Sequence, residues 1–202
     1  MAAPVPAFAS RDPLSPGFWN ERFEQAFTPW ERGGVAQGLR EFVAHTPGPL
    51  SVLIPGCGSG HELACMMDAG WDATAIDFSP AAVQIARAGV GQWAGRVVEA
   101  DFFAYAPPRQ LDLIYEQAFL CAMPPAMWPK IAARWAELLP SGGVLTGFFF
   151  FGDSPKGPPF GIERAALDAL LLPDFDCIED SEVSDSIAVF AGKERWMVWR
   201  RR

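Results

Sequence analysis

The stretch 50–62, Leu-Ser-Val-Leu-Ile-Pro-Gly-Cys-Gly-Ser-Gly-His-Glu, constrains the fold more than any other part of the chain. Leu50, Val52, Leu53 and Ile54 are apolar, and Val52 and Ile54 are β-branched, as a short buried strand requires. Gly56, Gly58 and Gly60 then make a dense turn, and residues 61–67 read as the first turns of a helix. A strand, a glycine loop and a helix in this order let the backbone approach a ligand closely at the mouth of a parallel sheet.

The rest of the chain alternates around that unit. Residues 1–16, rich in Ala and Pro, are expected to form a flexible lead-in to a single domain over 17–202. Phe18, Trp19, Phe23 and Phe27 recur at helical spacing, so the pattern predicts a helix over 18–27, followed by a second over about 35–44. Segment 17–48 is read as an N-terminal helical lid. Beyond the glycine loop, strands are predicted at 73–76, 96–100, 111–115 and 144–151, with helices at 81–88, 127–139 and 163–171. Ser79 and Pro80 suit the start of the helix at 81–88. Two closing strands, 175–181 and 195–200, have no full helix between them. The expected fold is α/β: a doubly wound, mostly parallel Rossmann-like sheet with an antiparallel C-terminal edge.

Charge and composition narrow the partners. The net charge of −8 argues against a nucleic-acid partner, which needs a basic face. No apolar run approaches the ~20 residues of a spanning helix, and the N-terminus lacks a signal-peptide pattern. Cys57, Cys65, Cys121 and Cys177 form no CxxC pair, and only two histidines are available as imidazole ligands, so no metal site is expected. Reduced, packed thiols suit a cytoplasmic protein. The chain is read as a monomer acting on a small-molecule substrate.

Ligands of open α/β sheets bind outside the carboxyl ends of the strands. That rule selects residues 56–60, Asp77, Asp101-Phe102 and Glu116-Gln117. Asp77, after the second strand, is placed to accept both hydroxyls of a ribose. Asp101 could meet an adenine amino group while Phe102 covers the ring. A dinucleotide fingerprint wants its third glycine at position 61, where this chain has His61. The spacing therefore favours S-adenosylmethionine, although the loop taken alone leaves a nicotinamide-dependent oxidoreductase open.

Several motifs in order resemble the thiopurine S-methyltransferase-like class I methyltransferases, which include thiol and halide methyltransferases. They are Phe18-Trp19-Asn20-Glu21-Arg22-Phe23, Thr28-Pro29-Trp30, Pro55-Gly56-Cys57-Gly58-Ser59-Gly60-His61-Glu62 and Asp77-Phe78-Ser79-Pro80. Asp101-Phe102-Phe103, Phe119-Leu120-Cys121-Ala122 and Gly157-Pro158-Pro159-Phe160 complete the set. The resemblance implies that Trp19 and Trp30 close over S-adenosylmethionine, and that Gly56 and Gly58 pass its amino-acid part. It also implies that Asp77 holds the ribose, that Phe78 is among the cofactor-binding residues, and that Asp101 and Phe102 meet the adenine. Gln117 falls where relatives present an arginine or an aromatic residue near the cofactor. Phe23 stands where some relatives carry tryptophan.

The implied reaction is methyl transfer to a small soft nucleophile: a thiol, thiopurine, halide or chalcogen compound. Such acceptors need little proton abstraction, and the sequence shows no catalytic triad. Glu116 is a candidate proton acceptor or substrate-orienting group, His61 reads as a first-turn helix residue beside the cofactor, and Cys57 as a small loop residue. A non-catalytic S-adenosylmethionine-binding module is the alternative from a different class.

Overall fold

The computed structural model describes residues 6–153 and 156–202. Residues 1–5 of the expected lead-in, and 154–155 in the loop after the fifth strand, lie outside the described residues. The strands are β1 (Ser51–Pro55), β2 (Asp72–Asp77), β3 (Val97–Glu99), β4 (Leu113–Gln117), β5 (Val144–Phe150), β6 (Phe175–Glu182) and β7 (Glu194–Arg201). They form one sheet in the order β3-β2-β1-β4-β5-β7-β6. β1 to β5 run parallel, and β7 pairs antiparallel with both β5 and β6. The expected doubly wound sheet with an antiparallel edge is what forms.

β1 shows why its apolar residues run without a break. Val52 and Ile54 pack on one face of the sheet with Leu63 and Met66 of α3 (His61–Asp68) and Val83 and Ala86 of α4 (Pro80–Gly89). Leu53, between them, packs on the other face with Ile131 and Trp135 of α5 (Trp128–Leu138) and Leu167 of α6 (Arg164–Leu171). A strand covered on both sides needs no polar position. α2 (Gln37–His45) joins the first layer through Leu39.

α1 (Pro16–Glu24) lies against α4 rather than against the sheet, packing Phe18, Trp19 and Phe23 around Ala82. Asn20 fixes the crossing: its Oδ1 accepts from the Ser79 hydroxyl at 2.6 Å and from the Ala81 N–H at 3.2 Å. Ser79 itself caps α4, accepting from the Ala82 N–H. α1 stops short of the expected Phe27, because Ala26 adopts a left-handed conformation at φ +52°. Phe27 then turns back onto Phe8, with ring centroids 5.4 Å apart. Phe8 is buried, and Ala9 and Ser10 donate backbone hydrogen bonds to the Glu21 carboxylate. Part of the expected flexible lead-in is thus docked on α1.

Two strand limits also differ from expectation. β3 is short because a 3-10 turn, Gly91–Arg96, runs up to it. β4 begins at Leu113 and continues to Gln117, since Glu116 and Gln117 still pair with Gly147 and Phe148 of β5. That pairing makes Gly147 indispensable. It sits at φ +146°, and a Cβ there would fall 1.7 Å from the Glu116 carbonyl oxygen. Gly147→Ala is expected to cost about 3 kcal/mol or more and to lower the melting temperature by about 6 °C or more, read by thermal denaturation. An unchanged melting curve would contradict this close approach.

Candidate functional site

The carboxyl ends of β1, β2, β3 and β4 open into a cavity of about 360 Å³. Trp19, Trp30, Gly56, Gly58, Asp77, Phe78, Asp101, Phe102 and Gln117 all line it. The sheet thus brings together every binding residue named from the sequence.

The glycine loop forms the floor. Gly56, Gly58 and Gly60 have φ values of +61°, +51° and +73°, which L side chains rarely adopt. At Gly58 a Cβ would also come within 2.9 Å of the Glu31 Oε1. The loop's N–H groups are consumed within the chain. Cys57 donates to the Ile76 carbonyl at 3.1 Å, Gly58 to Asp77 Oδ2 at 3.1 Å, Ser59 to Glu31 Oε1 at 3.0 Å and Gly60 to the Cys57 carbonyl at 2.9 Å. These four N–H groups are therefore not free to cradle a pyrophosphate, as a dinucleotide loop would. With His61 at the third glycine's place, the geometry disfavours the nicotinamide alternative.

Asp77 ends β2 almost completely buried. Its second oxygen accepts from the Ser79 N–H at 2.9 Å. Burial outweighs these backbone donors and pushes its carboxyl up to about 6. At the next strand end Asp101 is exposed and bonds the Phe103 N–H, while Phe102 is buried 5.0 Å from the Phe119 ring. At the end of β4, Gln117 Oε1 accepts from the Tyr115 hydroxyl at 2.6 Å. Overhead, Trp30 stacks edge-on with Trp19 at 5.5 Å and with Phe23 at 6.0 Å, and Trp19 donates its indole N–H to the Pro13 carbonyl.

Glu116 does not belong to the cavity wall. It is 1% exposed, and both carboxylate oxygens accept from the Leu120 N–H at 3.2 Å. Burial pushes it up to about 8. It braces the turn after β4 and is not placed to take a proton from a ligand. Because β4 runs on to Gln117, residue 116 points into the structure rather than out of the strand's end. Cys57 is buried, and that burial, with Asp77 and Glu62 nearby, pushes its thiol well up, which suits a packed thiol. His61 occupies the first turn of α3 on the cavity wall, as expected.

Sequence reasoning missed the other charged wall residues. Glu31 Oε1 also accepts from the Ser59 hydroxyl at 2.6 Å, fastening the segment after α1 to the glycine loop. Arg32 lines the cavity but is held by Asp185, through the backbone oxygen at 2.7 Å and Oδ2 at 3.0 Å. Glu62 is buried in the first turn of α3. An acid beside Trp30 and an acid closing the glycine motif were the only available signals. On the opposite wall stand Met123, Pro158, Pro159 and Phe190.

A family model describing thiopurine S-methyltransferase matches residues 14–202. The chain belongs to the thiopurine S-methyltransferase family. It is an enzyme of the S-adenosylmethionine-dependent methyltransferase class. Thiocyanate methyltransferase 1 of Brassica oleracea is 30% identical over 192 residues, covering 92% of this chain and 85% of that protein. A thiopurine S-methyltransferase of Shewanella baltica OS155 is 26% identical over 205 residues, covering 91% of this chain and 92% of that protein. Among solved structures, the Burkholderia thailandensis 1,6-didemethyltoxoflavin-N1-methyltransferase superposes with a TM-score of 0.74 at 20% identity, covering 98% of this chain and 94% of that one. Magnesium protoporphyrin IX methyltransferase from Synechocystis PCC 6803 superposes at 0.69 and 16% identity, over 97% of this chain and 100% of that one. These two likenesses establish the fold.

The buried acids of this methyltransferase set its pH response. Asp77, Glu62 and Glu116 are raised to about 6, 7 and 8, so the folded chain holds their protons more tightly than the unfolded chain does. Their stabilising effect is complete below the ordinary carboxyl range and is lost as pH rises through those values. The ligand-free protein is expected to melt at a higher temperature near pH 5.5 than near pH 8, with Glu116→Gln removing much of the difference. Scanning calorimetry across that range checks it; an opposite slope would contradict the buried-acid assignment.

Proposed function

We propose that this cavity holds S-adenosylmethionine along β1 to β4 and passes its methyl group to a thiol, thiocyanate or similarly soft nucleophile. The observation that carries the reading is the braced glycine loop, with Asp77 below the cavity and Trp19 and Trp30 above it. A turn whose glycines tolerate no Cβ beside Glu31 or Phe119, next to a buried carboxylate, fits a nucleoside with an amino-acid tail. In this assignment Asp77 accepts from the ribose hydroxyls, with Phe78 beside it. Phe102 covers the adenine, Asp101 takes its amino group, and Gly56 and Gly58 leave room for the amino-acid part.

When bound, S-adenosylmethionine supplies an electrophilic methyl carbon on a sulfonium that leaves as a neutral thioether. The protein's contribution is alignment and dryness. Fixing two reactants can be worth roughly 7–11 kcal/mol at best. Trp19, Phe23 and Trp30 exclude water and present ring faces and edges near the developing site, where aromatic faces favour a cation. Segment 17–48 acts in this reading as a lid, held down by Asn20 on α4 and by Glu31 on Ser59. The acceptor meets the wall of Met123, Pro158, Pro159 and Phe190, which offers soft, apolar surface and no carboxylate. That favours an acceptor that is anionic or readily ionised before it arrives. Gln117, its carbonyl taken by Tyr115, contributes its amide N–H groups at the junction of the two halves.

The relatives named for thiocyanate, thiol and thiopurine substrates support the same acceptor class. Among the described residues no helix is long and apolar enough to cross a membrane. The net charge of −8 and the free cysteines support the reading of a cytoplasmic protein that binds no nucleic acid.

An acceptor panel of an aromatic thiol, thiocyanate, iodide, mercaptopurine and a catechol, read by release of S-adenosylhomocysteine, tests the reaction. Turnover is expected with the sulfur acceptors and not with the catechol; activity confined to the catechol would overturn the acceptor class, and tight cofactor binding without turnover would indicate the silent module. Asp77→Asn is expected to weaken S-adenosylhomocysteine about 10–100-fold, measured by titration calorimetry. For the lid, cofactor should protect residues 10–35 from limited proteolysis, and unchanged cleavage would count against closure.

A further inference from the structure

The end of the cavity next to the glycine loop carries more negative charge than the surrounding residues balance. Glu31, Glu62 and Asp77 all line it. Glu31 is satisfied by the N–H and hydroxyl of Ser59, and Asp77 by the N–H groups of Gly58 and Ser79. Glu62 differs from both. It is 9% exposed, and among the described residues the hydrogen bond to its carboxylate comes from its own backbone N–H.

Among the described residues no ion pair reaches the Glu62 carboxylate. From the segment before α2 come Glu31, which repels it, and Arg32, which favours its charge. Arg32, however, is engaged by Asp185 at 3.0 Å, with Glu194 at 3.9 Å on its other side. From the loop comes the buried Cys57, from α3 Cys65, and from β4 Tyr115; each of the three thiol and phenol groups is held further in its neutral form by the Glu62 charge. The Tyr115 hydroxyl is already donated to Gln117. A buried carboxylate without a cation is costly to keep ionised, and burial accordingly pushes Glu62 up to about 7.

The N–H groups of residues 57–60 are all donated within the chain. Arg32 is the cation that acts on Glu62 here, and its charge is shared with Asp185 and Glu194. The first turn of α3 holds the Glu62 carboxylate in place and favours its ionised form. We propose that Glu62 is the residue that receives the α-ammonium group of the cofactor's methionine portion, neutralising the acidic end of the cavity. This rests on the S-adenosylmethionine reading above and adds the residue that recognises the amino-acid tail. No covalent step is involved: three N–H donors meet a carboxylate. Because free Glu62 is part-protonated near neutrality, arrival of the ammonium expels a proton.

Titration calorimetry with two probes tests this. S-adenosylhomocysteine carries the ammonium; methylthioadenosine has the same nucleoside thioether and lacks the amino-acid portion. Glu62→Gln is expected to weaken S-adenosylhomocysteine about 10–100-fold and to leave methylthioadenosine within about twofold. In the unaltered protein near neutral pH, S-adenosylhomocysteine should release a proton, seen as a dependence of the binding heat on the buffer's ionisation enthalpy. Methylthioadenosine should show none of that release. Equal weakening of both probes, or of neither, overturns the proposal. So does the absence of probe-specific proton release in the unaltered protein, a measurement that stands even if Glu62→Gln fails to fold. If the unaltered protein binds neither probe, the cofactor reading itself falls; if it binds both and the variant behaves alike, only the role of Glu62 does.

Discussion

One carboxylate holds four elements in register. Asp77 closes β2, takes the Gly58 N–H of the loop after β1 with one oxygen and the Ser79 N–H at the start of α4 with the other. Ser79 in turn caps α4 and donates to Asn20, so α1 is fastened to the same point. A displacement of Asp77 would therefore loosen the floor and the roof of the cavity together. Its burial makes the arrangement stiff, because a carboxylate in low dielectric must keep its donors. The backbone N–H groups it orders are those that shape the glycine turn, and the turn leaves open the space a nucleoside needs.

That rigidity carries an electrostatic cost. Glu31, Glu62 and Asp77 line the end of the cavity beside the glycine loop, and Arg32, the cation that acts on Glu62, is engaged by Asp185 and Glu194. In the proposed reading, the free enzyme keeps an acidic end that a cationic ligand would relieve. Ligand binding to the folded state alone adds to stability by mass action, so the strain left in the empty site becomes affinity in the filled one. The same logic explains why Cys57 and Tyr115 remain neutral: neighbouring acids and burial both oppose a further negative charge.

Much of this was legible in the sequence because strand ends are where an open α/β sheet places its chemistry. Asp77, Asp101 and Phe102 could be found from predicted strand limits that were accurate to within a residue or two at those ends. Glu116 shows how much the end of a strand depends on its partner. Strand β4 continues for two residues past the apolar run, held by pairing with Gly147 and Phe148, and that extension turns Glu116 inward. Pairing with a distant strand leaves no local trace. Neither does the left-handed Ala26 that ends α1 early, since alanine is a good helix former with no tendency to break one. Glu31 was invisible for a different reason. Its partner is Ser59, and a single acid in a non-periodic segment carries no sign of what it will meet.

The two halves of the cavity are built from different parts of the chain, and this separates two kinds of selection. In the proposed reading, the cofactor side comes from the ends of β1 to β4, with the β1 and β2 ends tied to Asp77. The proposed acceptor wall comes from Met123 after β4, the loop after β5 and the connection between β6 and β7, where Phe190 packs on Phe150 at 5.4 Å. Arg32 and Gln37 both donate to Asp185 in that connection, so segment 17–48 and the proposed acceptor wall share a fastening that does not involve the glycine loop. Changes in the acceptor wall can therefore alter which nucleophile fits while leaving the Asp77 brace untouched. A family whose members carry names as different as thiocyanate and thiopurine methyltransferase is what such a division permits.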